Sequence, residues 1–114
     1  MNLGDSEARN LSVDLTPERR GLVALALSAL SDETRSEIMR VLASTSPRGL
    51  SAPDISLAVG LDQRTTLRHL SILRRAKLVR ETRIGRNRHY SADKSSARDC
   101  LSFVHSLVEQ LGLQ

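Results

Sequence analysis

The sequence predicts a single, mainly α-helical domain with a helix-turn-helix at its centre and one β-hairpin. Three observations lead there. Five stretches set apolar residues at three- and four-residue intervals behind a residue suited to capping a helix. The break "VGLD", residues 59–62, separates two of those helices too sharply for anything but a tight turn. "LVRETRIGRNRHYSAD", residues 78–93, places Val79, Ile84 and Tyr90 as apolar anchors around a Gly–Arg–Asn reversal. A chain of 114 residues suits one small domain, of a size that often gains stability by pairing with a copy of itself.

Residues 1–15 are polar, lack a sustained apolar period and are expected to form a mobile tail, leaving 16–114 as the domain. "TPER" starts the first helix, about 17–30. Thr16 is its cap, Pro17 stands where its missing N–H costs nothing, and Glu18 meets the positive end of the dipole. This helix is apolar nearly all round, so it must be covered on more than one side, by its own core or by a second subunit. "SDETRSEIMRVLAS" is the second helix, with Asp32 as cap and Ile38, Val41 and Leu42 on one stripe. "TSPRGLSAPD" reads as a loop leading through Ser51 or Ala52 into a short third helix, Pro53 to Val59, that turns Ile55, Ala58 and Val59 inward. Gly60 ends that helix in the left-handed conformation, Leu61 plugs the core, and Asp62 caps the next.

The fourth helix, about Gln63 to Lys77, has two unlike faces. At about 100° per residue, Thr66, Leu70, Leu73 and Ala76 share an inner arc, while Arg64, Arg68, Ser71 and Arg75 share the opposite one. No acid stands three or four residues from those arginines. Within an isolated helix the like charges therefore repel by a few tenths of a kcal/mol per pair, a cost offset if the face meets an anion. The hairpin adds Arg83, Arg86 and Arg88 at or near its tip, next to Asn87. Between Asp62 and Tyr90 there are nine basic and two acidic residues, whereas the rest of the chain holds eight basic and eleven acidic ones. So one-sided a segment makes a field that attracts polyanions. The last helix, about 95–112, has Ser95 or Ser96 as its cap and carries Ala97, Leu101, Val104, Val108 and Leu111 on one stripe, widened by Phe103 and Leu107. That is more apolar width than one small core requires, which makes it a second candidate for a dimer surface.

Several function classes are excluded. The longest nearly apolar run, residues 21–30, is half of the roughly 20 residues a membrane-spanning helix needs, and the acidic "DSE" near the start is unlike a signal peptide. A cytoplasmic protein with no membrane partner is expected. Cys100 is the only cysteine, so no intramolecular disulfide forms, and a buried inert thiol is its expected state. Phe103 and Tyr90 are too few aromatics to stack single-stranded bases. A glycine-rich phosphate loop, a nucleophile elbow and paired carboxylates are all missing, so no enzyme and no cofactor is expected.

The order helix, helix, helix-turn-helix, basic hairpin, apolar helix carries a family resemblance. "ALSDETRSEIMRVL" is similar to the "LADPTRRRILxLL" opening of the bacterial ArsR/SmtB repressors, "LDQRTTLRHLSILRRAKLV" to their recognition segment, and "RIGRNRHYS" to their "GRxxxY" wing. The similarity runs from about Leu27 to Ser91. It implies a homodimeric winged helix-turn-helix repressor, paired through its first and last helices and bound to an inverted-repeat site in double-stranded DNA. Gln63, Arg64, Thr65 and Arg68 match the family's base-reading positions. Arg83, Arg86, Asn87 and Arg88 match the wing that holds phosphate or minor groove, and Ser71 and Arg75 are left for backbone contact. The chain departs from the family in three places on this segment: Thr66 replaces a core valine, Leu67 a small polar residue, and Lys77 the glycine that ends the helix. His69 matches the family's "RHL" histidine and is expected to serve packing or hydrogen bonding.

Metal-sensing relatives carry paired cysteines near the third helix. Here "SAPDI" offers Ser51 and Pro53 instead. Asp99, Cys100, His105 and Glu109 do not have the spacing of a terminal-helix zinc site, and His105 and Glu109 are explained as an ordinary pair one turn apart. No metal is expected, and the effector is not legible. Two alternatives stay open: a protein-interaction module whose basic face meets an acidic partner, and a sensor with a non-standard metal or thiol site.

Overall fold

The computed structural model describes residues 16–112, so the expected tail, residues 1–15, lies outside the described residues. Five helices and three strands follow in order: α1 Pro17–Leu30, α2 Glu33–Ser44, β1 Leu50–Ser51, α3 Ala52–Val59, α4 Gln63–Arg75, β2 Val79–Ile84, β3 Asn87–Ala92 and α5 Lys94–Gln110. Thr16, Asp32 and Asp62 cap their helices as expected, each accepting from the backbone N–H three residues on. The core is shared by every helix. Val23, Ala26 and Ala29 come from α1, Ile38 and Leu42 from α2, Ala52 and Ile55 from α3, Leu70 and Leu73 from α4, and Cys100 from α5, with Ala76, Leu78, Val79 and Tyr90 closing the middle.

The sheet is antiparallel in the order β1-β3-β2. Its first strand falls where the sequence reads as loop: Leu50 and Ser51 pair with Tyr90 and His89. Gly49 makes the pairing feasible. Its φ is +78°, and a Cβ there would run into the Tyr90 carbonyl oxygen. Two residues of strand leave too little alternation to be seen in sequence.

Other expectations are corrected. Helix α3 starts at Ala52 with Ser51 as cap, and it buries Ser56 while Ala58 is exposed. Residues 52, 55, 56 and 59 form its inner line, and position 58 falls outside that arc. Leu61 is half-buried rather than fully enclosed. Asp93, rather than Ser95 or Ser96, caps α5, which starts at Lys94, because its carboxylate accepts from both the backbone N–H and the hydroxyl of Ser95 at 3.0 and 2.8 Å. Ile84 is no anchor: it sits beside the hairpin turn and is 58% exposed.

Helix α4 stops at Arg75, short of Lys77. The N–H of Lys77 donates to the Arg74 carbonyl and that of Leu78 to the Leu73 carbonyl, both at 3.0 Å. Lys77 itself has φ +62°. This is the paired hydrogen-bond closure in which the left-handed position ordinarily falls to glycine, with buried Leu73 and Leu78 sealing it.

Candidate nucleic-acid interface

The turn that presents α4 is built from local chemistry. Gly60, at φ +71°, ends α3, and its N–H and that of Leu61 both donate to the Ser56 carbonyl. Asp62 then accepts from the Thr65 N–H at 2.8 Å and the Thr65 hydroxyl at 2.9 Å. The Thr65 N–H is the main reason the Asp62 carboxyl titrates below its ordinary value. The inner arc of α4 is buried as read from the sequence: Thr66, Leu70 and Leu73, then Ala76 just past the helix end.

Ser56 would strand a hydroxyl in the core but for Thr66. The Ser56 hydroxyl donates to Thr66 Oγ1 at 2.8 Å, and Thr66 donates in turn to the Asp62 carbonyl at 2.9 Å. The two departures from a purely apolar core thus satisfy each other and tie α3 to α4. Nearby, Arg35 Nε donates to the Ala29 carbonyl at 2.7 Å and Nη1 lies 3.4 Å from His69 Nδ1, so half-buried His69 makes the hydrogen-bonding contact expected of it.

On the opposite face Arg64, Arg68, Ser71 and Arg75 are all exposed, as is Gln63 at the start of the helix. Among the described residues, none of Arg64, Arg68 and Arg75 has a carboxylate within ion-pairing distance. Three guanidinium groups therefore stand along one ridge without counter-charge. Thr65 is half-buried and its hydroxyl is engaged by Asp62, so its expected role in base reading competes with capping.

The wing is a hairpin with a two-residue turn, Gly85–Arg86, closed by the pair Ile84 and Asn87; Gly85 takes φ +63°. Arg83, Arg86, Asn87 and Arg88 are exposed. Arg86 is at the tip, whereas Arg83 and Arg88 face each other across the strands one pair back. Like charges so placed repel. Glu81 relieves this: it reaches Arg88 at 4.0 Å and, more closely, Arg74 of α4 at 2.8 Å. The wing is thereby braced against the helix. Beneath them Tyr90 is buried, and its burial pushes the phenol above its ordinary pKa.

Two grooves join helix and wing. One, of about 450 Å³, runs between the starts of α3 and α4 and the tip of the wing, lined by Gln63, Leu67, Arg86, Asn87 and Arg88 among others. The second, of about 540 Å³, lies farther along, with Ser71, Arg75 and Arg88 on its walls. Arg64, Arg68 and Arg83 line neither and project from the open surface. The sequence reading missed the start of α3, where Ser51, Ala52 and Pro53 wall the first groove, and it missed Glu81 as a brace. A lone acid in so basic a hairpin was the available signal for Glu81.

At the other end, Cys100 is buried, and burial raises its thiol pKa, which disfavours the reactive thiolate. His105 Nε2 lies 3.2 Å from Glu109, the one-turn contact read from the sequence. Among the described residues no group of three or more His, Cys, Asp and Glu side chains is arranged to hold a metal ion. Nor is any described helix long and apolar enough to cross a membrane.

A helix-turn-helix with its second helix bare and basic, flanked by a braced hairpin, defines a winged helix-turn-helix protein. Residues 30–82 match the family model of a helix-turn-helix domain. Among solved structures, the chain is similar to an ArsR-like transcriptional regulator from Rhodococcus sp. RHA1, 26% identical with a TM-score of 0.64 and 83% of each chain covered. It is also similar to NolR from Sinorhizobium fredii, 27% identical with a TM-score of 0.59 over 89% of this chain and 98% of that one. The homodimeric winged helix-turn-helix DNA-binding domain from Mycobacterium bovis shares the fold at 21% identity, TM-score 0.61, over 88% and 89% of the two chains. No curated protein matches. These likenesses support the resemblance to the ArsR/SmtB regulators drawn from the recognition segment and wing.

Proposed function

We propose that the protein is a dimeric transcriptional repressor that binds an inverted-repeat site in double-stranded DNA in the cytoplasm. The observation that carries this is the ridge of Arg64, Arg68 and Arg75 on α4, exposed and without described carboxylate partners beside the cationic wing. Gln63, Arg64, Thr65 and Arg68 enter the major groove. There arginine grips guanine O6 and N7 and glutamine reads adenine, each good pair discriminating by about 1–3 kcal/mol. Ser71 and Arg75 follow along the backbone. Arg83, Arg86, Asn87 and Arg88 hold phosphate or minor groove and supply salt-dependent affinity.

Dimerisation through α1 and α5 sets two recognition helices about one turn of DNA apart. The support for that interface is apolar surface left uncovered on both helices: Leu25 and Leu27 on α1, and Leu101, Phe103, Val104, Leu107 and Leu111 on α5, each at least 36% exposed. The Mycobacterium bovis domain, which has this fold, is homodimeric.

The test is selection of bound fragments from genomic DNA, followed by salt titration on the selected duplex and a random one. Arg68→Ala is expected to lose about 1–3 kcal/mol on the selected duplex alone. Arg86→Ala is expected to weaken both duplexes and lower the salt slope by about one. Identical behaviour of the two variants contradicts this division of roles. Binding to acidic protein with no preference among duplexes would instead identify an interaction module.

A further inference from the structure

Away from the recognition helix, the starts of α1 and α5, the α2–β1 connection and the base of the wing enclose a cleft of about 530 Å³. It shares no lining residue with either groove of the nucleic-acid interface. Its charged side chains are four cations, Arg19, Arg80, Lys94 and Arg98, and two acids, Asp93 and Asp99. We propose that this cleft binds a small organic dianion, its charge carried by carboxylate or phosphate.

The charges around the cleft do not balance. The two carboxylates are well covered, each 17% exposed, and each holds one arginine loosely: Arg19 to Asp99 at 3.6 Å and Arg80 to Asp93 at 3.7 Å. Asp93 is further committed to Ser95, whose backbone N–H keeps its carboxyl below the ordinary value, so it stays ionised and does not turn to the cleft as a proton donor. Among the described residues Lys94 and Arg98 have no carboxylate within ion-pairing distance. The cleft therefore carries two positive charges in excess, gathered from separate elements around one concavity. That charge matches a dianion, and a guanidinium beside an ammonium supplies the strong charge-assisted donors such a ligand requires. The volume falls within the usual range for small-molecule sites and is far too small for a duplex.

The location also matters. Arg80 belongs to β2 of the wing, while Arg19 and Arg98 belong to the helices proposed to pair two copies. A ligand bridging them changes the relative stability of wing and helix orientations, the differential interaction that any effector must have. This regulatory consequence rests on the DNA-binding reading above; the site itself does not.

Calorimetric titration of the full chain without DNA, in chloride buffer, with succinate, glycerol 3-phosphate and uncharged glycerol, tests the proposal. At least one dianion is expected to bind saturably at one site per chain and glycerol not at all, the preferred dianion identifying carboxylate or phosphate as the charge carried. Arg98→Ala and Lys94→Ala, both at exposed positions, are expected to weaken that binding about tenfold or more each with unchanged circular dichroism. Absence of saturable binding by either dianion, or affinity undiminished in both variants, overturns the site. Subsequent titration of the selected duplex separates the two readings. Dianion binding with no duplex binding sinks the repressor and keeps the site, and duplex binding with no dianion binding does the reverse.

Discussion

Helices α4 and α5 are both amphipathic, yet they leave opposite things uncovered. Helix α4 turns Leu70 and Leu73 into the chain's own core and shows solvent a line of arginines. Helix α5 buries Ser96, Cys100 and Ser102 and shows solvent Leu101, Phe103, Val104, Leu107 and Leu111. The first arrangement covers its apolar face within the lone chain and leaves like charges whose repulsion an anion would offset. The second leaves a lone chain with a wide apolar stripe, which a second apolar surface would remove from water at about 25 cal/mol per Å². What each helix leaves bare indicates the chemistry of its partner.

The sharpest way to break this contrast is on α5. Phe103→Glu combined with Leu107→Glu places two charges in the proposed dimer surface while removing nothing from the described core, so folded monomers are expected in sedimentation, with native circular dichroism and a melting temperature lowered by loss of the dimer contact. A dimer that persists would assign the stripe another role. Next in size is the polar tie that holds α4. Thr66→Val leaves the buried Ser56 hydroxyl without its acceptor and is expected to cost about 1–3 kcal/mol in urea unfolding. Adding Ser56→Ala is expected to recover much of that loss, since both partners are then apolar.

Smaller still is the difference at the two helix ends. Helix α5 gives way at Gly112, φ +71°, whereas α4 puts Lys77 at φ +62°. Lys77→Gly is therefore expected to stabilise the chain by about 1 kcal/mol without altering the fold, as read by thermal melting. The mildest probe is pH. Asp62 at the start of α4 and Asp93 at the start of α5 both titrate below their ordinary value, chiefly through backbone N–H groups of Thr65 and Ser95. Their contribution to stability is fully present above the unfolded-state value near 3.8 and is lost as pH falls through the lower folded-state values, so acid unfolding should steepen below about pH 4. Asp62→Asn and Asp93→Asn should flatten that fall, Asn capping a helix without titrating.

Much of this was legible beforehand. The caps Thr16, Asp32 and Asp62 and the two faces of α4 followed from spacing and side-chain chemistry acting within a few residues. The left-handed Lys77 was signalled by the family resemblance, which puts a glycine at that position. The errors have a common origin. Strand β1, the burial of Ser56 and the exposure of Ile84 all depend on a neighbour distant in sequence, or on the want of one. The candidate interface divided in the same way: its exposed arginines could be listed from the sequence, but the grooves joining α4 to the wing and the Arg74–Glu81 brace could not.

The sequence alone determined where most of the helices start, which side of α4 is apolar and which cationic, and that one segment is strongly cationic while the rest of the chain is mildly acidic. Periodicity and capping are local, so these need no knowledge of the rest of the chain. Only the tertiary structure decided which apolar stripe would be satisfied within the chain and which left bare, how Glu81 braces the wing, and that cations from α1, β2 and α5 meet around one cleft. Such outcomes arise from contacts between elements far apart in the chain, whose distances no local pattern encodes.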